Sequence, residues 1–234
     1  MLTPRLIFKL LFLATAVQGT VAANWQDATQ EPGSIFWRPT TSDRQACKLG
    51  ESVTVNPIAR VSYKKGTSSY KLLVFKAEFP ERRLVFAASI FNLDHPRAAR
   101  SELECLWNLD YSRYLRSYEL ALGPAMRAVR IDVENLTGEV QVALIVGEVD
   151  GKVQRLLSFR PSEACPPDLA PCWNYLRTMT VLPADKNAPF YDVRIDTKSW
   201  CTEKGDSKCM PETGPQRLTY SEVFTFESKE YHKR

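Results

Sequence analysis

Two histidines, His95 and His232, are present in the 234 residues, and that scarcity governs which chemistry the chain can carry. A Ser-His-Asp or Cys-His mechanism would have to run through His95. That residue sits in Asp94-His95-Pro96, where a loop or a helix start explains it. His232 falls in the last residues, where fraying is expected. No H-E-x-x-H and no C-x-x-C is present, so zinc-ligand spacing is missing. G-x-S-x-G, P-loop and dinucleotide motifs are missing too. The expectation is no metal, no cofactor and no histidine-based catalysis.

Carboxylates are the remaining source of acid–base chemistry. A glycoside hydrolase needs two of them facing the sugar, one kept protonated by its surroundings. Candidates are Glu102, Glu104, Asp132, Glu134, Glu139 and Glu148. Asp132 and Glu134 share one face at strand period, but charge at that spacing is also what a solvated sheet carries. Aromatic side chains offer binding instead, since sugar rings stack on exposed indole and phenol faces. Trp173 and Trp200, each beside a cysteine, read as core. Trp25 and Trp37, in a polar stretch, are the better candidates for exposure.

The cysteines point to a compartment. Six are present: Cys47, Cys105, Cys165, Cys172, Cys201 and Cys209. An even number in a secreted chain predicts a disulfide framework. Cys165 and Cys172 bracket a proline-rich loop, and Cys201 and Cys209 bracket a loop with Gly205 and Asp206. Short loops close at low entropic cost, which predicts Cys165–Cys172 and Cys201–Cys209 and leaves Cys47–Cys105. A proline-stiffened, disulfide-closed loop could also serve as a binding device, although a structural corner explains it as well.

Secretion itself is read from the start of the chain. Arg5 and Lys9 precede the apolar run Leu10 to Val17, and small residues follow to Ala23. That is the order of a secretory signal peptide, cut after Ala23 or, as second choice, after Gly19. The apolar run is too short to span a bilayer, which takes about 20 residues, so no membrane anchor is expected. Asn135-Leu136-Thr137 is a glycosylation sequon, followed by Gly138, and predicts a turn at which Asn135 could carry a glycan.

Residues 24–234 keep all 27 acidic residues and lose two of the 31 basic ones, so the formal charge falls from +4 to +2. The basic residues come only as doublets, such as Lys64-Lys65 and Arg82-Arg83. Nucleic-acid binding needs a clustered basic face and is not expected.

The elements that would position these residues are mostly strands. Val53/Val55, Val61/Tyr63, Tyr70–Phe79, Leu84–Phe91, Val129–Val133, Glu139–Val146, Val153–Phe159, Tyr175–Leu182, Tyr191–Ile195 and Arg217–Phe226 are rich in β-branched and aromatic residues or alternate. Turns are expected at Lys64–Thr67, Pro80–Arg82, Asn135–Gly138 and Asp150-Gly151. Trp107, Tyr111, Tyr114, Tyr118 and Leu122 recur at three- and four-residue steps, which predicts a helix over 109–122. A strand through 114–122 competes with it.

The organisation expected is a signal peptide (1–23), an N-terminal arm (24–46) and one β-rich domain (47–234). The fold class is mainly β: an antiparallel sandwich or barrel-like domain, disulfide-stabilised, with one or two short helices. The function expected is that of a secreted, monomeric, effector-like binding protein whose partner is an extracellular protein or a glycan. The alternative is a secreted carboxylate-dependent glycoside hydrolase.

Overall fold

The computed structural model describes residues 33–94, 103–164, 172–183, 188–202 and 218–234, with the side chains of 172, 173, 201, 202 and 218 left aside. The signal segment 1–23, Trp25, His95 and Glu102 lie outside the described residues. So do Cys165 and Cys209, and with them the expected pairs Cys165–Cys172 and Cys201–Cys209.

The protein is mainly β and antiparallel, built as three meanders in which strands follow one another in chain order. The first sheet holds β1 (Ile35–Trp37), β2 (Val53–Lys65), β3 (Ser68–Phe79), β4 (Arg83–Asn92) and β5 (Glu104–Leu109), with one short helix, α1 (Thr41–Cys47), between β1 and β2. The next holds β6 (Ser112–Ala121), β7 (Arg127–Asn135), β8 (Gln141–Val149) and β9 (Lys152–Phe159). The last holds β10 (Ser162–Glu163), β11 (Cys172–Leu182), β12 (Asp192–Thr202), β13 (Leu218–Glu227) and β14 (Glu230–Lys233).

The apolar patterning explains the layering. β3 and β4 are apolar on both faces because both faces are covered. Leu72, Val74, Leu84, Phe86 and Ile90 pack against Val129, Ile131, Val133, Leu144 and Val146 of the β6–β9 sheet. The alternate residues Leu73, Phe75, Val85 and Ala87 form a second core with Trp37, Cys47 and Leu49. The far face of the β6–β9 sheet takes the last sheet: Ala128, Ile145 and Leu157 meet Val193, Ile195 and Phe224. Phe75 and Phe86 are fully buried, each worth about 1.5–3 kcal/mol of transfer free energy.

The stretch expected to be an arm is folded from residue 33 on. Ile35–Trp37 pairs with Val53–Val55. Thr40 caps α1 through a capping box, its hydroxyl accepting from Asp43 N–H while the Asp43 carboxylate accepts from Thr40 N–H. Asp43 also accepts from the backbone N–H of Cys105 at 2.9 Å, and the expected disulfide joins Cys47 to Cys105. Helix and edge strand are thus tied twice.

The helix expected over 109–122 is not formed; β5 ends at Leu109 and β6 runs from Ser112 to Ala121. β6 carries a bulge at Leu115: Tyr114 pairs with Val133, and the next paired residue, Arg116, with Asp132. The three- and four-residue steps join residues of different elements and faces. Trp107 lies on β5 and Tyr111 in the turn, and the bulge reverses the alternation, so Tyr114 packs toward the first sheet while Tyr118 lies by Arg130 on the far face. Tyr111 occupies the tight turn before β6 with φ 51° and is 70% exposed. The expected hairpin at Asp150-Gly151 has both residues at positive φ, 53° and 81°, as a type I′ turn requires. His232 does not fray: it pairs with Thr225 in β14.

Gly123 marks a close approach between the β6–β7 loop and the segment before β12. Tyr191 N–H donates to the Leu122 carbonyl at 2.7 Å, and a Cβ at Gly123 would lie 2.1 Å from the Pro189 carbonyl oxygen. Gly123→Ala is expected to destabilise by about 1–3 kcal/mol through overpacking, measured as a lowered midpoint in urea.

Candidate functional site

The site follows from how the first two sheets part. On the face of the first sheet turned to β7 and β8, Val61, Leu72 and Ile90 form one cross-strand row and belong to the core. The next row outward is Tyr63, Tyr70 and Asn92, and beyond it stand Lys65 and Ser68. Apolar packing therefore gives way to aromatic and then polar side chains within two residues along each strand. From the facing sheet β8 contributes Glu148, one alternation past Val146. The space between the sheets opens here into a hollow of about 330 Å³ lined by Tyr63, Tyr70, Lys65, Ile90, Asn92 and Glu148.

The Tyr63 and Tyr70 rings stack with centroids 5.6 Å apart and planes 19° from parallel. Glu148, nearly buried, accepts from Lys65 Nζ at 3.0 Å and from Gly151 N–H of the hairpin turn at 2.5 Å. The Tyr63 hydroxyl oxygen is buried without a hydrogen-bond partner among the described residues. Burial first, then the Glu148 carboxylate and Tyr70, push its pKa well above the ordinary tyrosine value. It therefore stays a neutral O–H donor. A buried hydroxyl left unpaired costs about 1–3 kcal/mol.

Two further hollows adjoin. One, of about 390 Å³, shares Tyr63, Lys65 and Glu148 and continues past Met126 and Phe190 to Lys229. The other, of about 450 Å³, lies along β2 and is lined by Ser62, Tyr63, Lys64 and Arg127 among others. Tyr63 is a wall of all three. The volumes fall at the lower end of small-molecule sites, about 300–1,000 Å³.

Comparison with known proteins yields no relative: no family model, no curated protein and no solved structure matches the chain.

The expected site residues are placed as follows. Trp37, expected to be exposed, is 5% exposed and part of the core beside Cys47, because the stretch holding it is a sheet strand. Trp200, read as core, is instead 41% exposed. Trp107 is half-buried with the Arg155 guanidinium 5.0 Å above its ring. Asn135 stands at the expected turn, its Oδ1 accepting from Val140 N–H at 3.0 Å. Glu139 accepts from the Thr137 hydroxyl at 2.8 Å, and Glu104 is exposed on β5.

Asp132 and Glu134 do share a face, but it is not a solvated one. Asp132 is 2% exposed, accepting from Arg116 Nε at 2.9 Å and Arg130 Nε at 2.7 Å. Glu134 is paired with Arg113. The Arg130 guanidinium lies 5.4 Å from the Tyr118 ring and 5.2 Å from that of Phe159. Strand alternation turns this cluster to the far face of the β6–β9 sheet, whereas Glu148 faces the first sheet. The two groups of carboxylates cannot act together.

Among the described candidate carboxylates, Glu148 alone lines the hollows. Tyr63, Tyr70, Lys65 and Asn92 were not singled out in the sequence. Their signal was present in the turn: a two-residue Gly66-Thr67 connection forces Tyr63 opposite Tyr70, in phase with core residues Val61 and Leu72. Among the described residues there is no cluster of potential metal ligands, and no helix is long and apolar enough to cross a membrane.

Proposed function

We propose that this is a secreted binding protein that takes a glycan in the cleft centred on Tyr63. The observation that carries the reading is the Tyr63 side chain, which walls all three hollows and whose hydroxyl is buried without a partner among the described residues. A pyranose ring has an apolar C–H face and a rim of hydroxyls. The cleft supplies the complement: stacked phenol rings for the face, and an ammonium, a carboxylate and an amide for the rim. A bound hydroxyl would pair with the Tyr63 O–H, so ligand binding recovers what the free protein loses there. Secretion rests on the signal-peptide pattern and fits the Cys47–Cys105 bridge.

A hydrolase reading has less to support it. Two carboxylates, Glu148 and Asp150, line the second hollow, but each has a lysine ammonium 3.0 Å away, from Lys65 and Lys229. A glycosidase acid needs an apolar enclosure instead. The pair fits ligand-orienting acceptors.

The test uses the chain from residue 24, produced in an oxidising compartment and applied to an array of wall and extracellular oligosaccharides. The wild type is expected to retain a glycan class, and Tyr63→Phe to lose at least tenfold in affinity for it. The same substitution removes an unpaired buried hydroxyl, so the free protein should be unchanged or up to about 1–3 kcal/mol more stable. Loss of binding without loss of stability separates a ligand role from a structural one. An array without signal, or full affinity in both Tyr63→Phe and Tyr63→Ala, overturns the proposal.

A further inference from the structure

We infer that the glycan is acidic, and that its anionic group lies in the hollow along β2 between Lys64 and Arg127; this rests on the glycan reading above. The three hollows are lined by four cations, Lys64, Lys65, Arg127 and Lys229, against two carboxylates, Glu148 and Asp150. The distribution matters more than the excess. Both carboxylates lie in the hollows nearest the β8–β9 turn, where each is already matched by a lysine at 3.0 Å. The hollow along β2 holds no carboxylate: Ser62, Tyr63, Lys64, Gly66, Pro124, Ala125 and Arg127 line it.

Lys64 has no ion-pair partner among the described residues, and it is exposed. Among the described residues Arg127 is held only by a long contact to Glu119, 3.7 Å between half-exposed groups. Exposed pairs of that kind contribute little, so the guanidinium can turn to a ligand at small cost. Strand geometry explains why this cation pair stands apart. Lys64 alternates with Tyr63 and Lys65, and therefore leaves the sheet on the other side of the β2 edge. Tyr63 is the shared wall, so a sugar ring stacked in the first hollow places a neighbouring ring beside Lys64 and Arg127. Carboxylate or sulfate on that ring meets one ammonium and one planar guanidinium, the combination suited to such oxyanions.

Titration calorimetry at low and at moderate salt tests the inference with three probes: a galacturonate hexamer, a heparin hexasaccharide and neutral maltohexaose. At least one acidic probe is expected to bind tenfold or more tighter than the neutral one. That advantage should shrink as salt rises, because exposed charges are screened within about 10 Å at 0.1 M. Lys64→Ala with Arg127→Ala should remove it, and Lys64→Glu should reverse it. Both positions are on the surface, and circular dichroism checks that the variants fold. Galacturonate against heparin separates a carboxylate ligand from a sulfated one. Equal binding of maltohexaose, sensitive to Tyr63→Ala but not to the charge variants, overturns the acidic ligand and leaves the glycan site standing. No binding of any probe, with an empty glycan array, overturns both.

Discussion

Replacing Asp132 by alanine is expected to lower stability by about 3–5 kcal/mol, the range for breaking a buried ion pair by removing one partner. Asp132 holds two guanidiniums with separate oxygens, Oδ2 toward Arg116 and Oδ1 toward Arg130. The two arginines are not equivalent. The Arg116 side chain is 68% exposed, whereas that of Arg130 is 11% exposed and set between the Tyr118 and Phe159 rings. With Asp132 gone, Arg116 turns to water and loses little. Arg130 keeps its charge between the two rings without an anion. The cost is therefore that of a stranded cation, and a second substitution should relieve it. Arg130→Met in the Asp132→Ala background should regain more than half the loss, since a buried pair replaced by apolar side chains of similar volume is often neutral. Arg116→Ala alone should fall within the scatter of surface substitutions. Urea melts of the four proteins decide the matter. A loss under about 1 kcal/mol for Asp132→Ala, or no rescue by Arg130→Met, removes the network from any account of this fold.

That network also shows where sequence reasoning reached and where it stopped. The strands of β3, β4, β7, β8 and β9 were legible because alternation and β-branched content are local properties. The turns at 80–82 and 150–151 were legible because few residues tolerate their backbone. That Asp132 and Glu134 share a face was legible from period alone. Whether the face was wet or dry was not, because that depends on which side chains of the neighbouring strands, Arg116, Tyr118 and Phe159, come to stand around Asp132 and Arg130. Trp37 was misplaced because the stretch 24–46 is polar taken as a whole, whereas its cover comes from β3, β4 and the helix. The helix over 109–122 failed differently, because its three- and four-residue steps join aromatics of two strands and a turn, and the bulge sets Tyr114 and Tyr118 on opposite faces. The Tyr63 cleft was half legible. Register through Gly66-Thr67 gives the Tyr63–Tyr70 pair, but the splaying of two sheets that exposes it is a tertiary fact.

Breaking the Cys47–Cys105 bridge by changing both residues to alanine should cost about 2–4 kcal/mol. The bridge closes a span of 58 residues, and restricting a loop of that size in the unfolded chain is worth about 4 kcal/mol in the chain-entropy model. Native contacts bear on how much of that is kept. Cys47 is fully buried and packs with Trp37, Leu49, Val55 and Phe75; its carbonyl accepts from Arg83 at 2.9 Å. Asp43 still ties α1 to the Cys105 amide when the sulfurs are gone, so the helix should stay docked and the variant should fold. The same logic makes the compartment measurable. Protein made in a reducing cytosol should lie at or below the double-alanine variant in its urea midpoint, and protein made in an oxidising lumen should exceed both. Because Cys47 is sealed in the core, mild reductant should act on the folded oxidised protein only as fast as it opens. If wild type, variant and cytosolic protein share one midpoint, the bridge contributes nothing to holding helix and edge strand together, and the physical reason offered for a secreted fold goes with it.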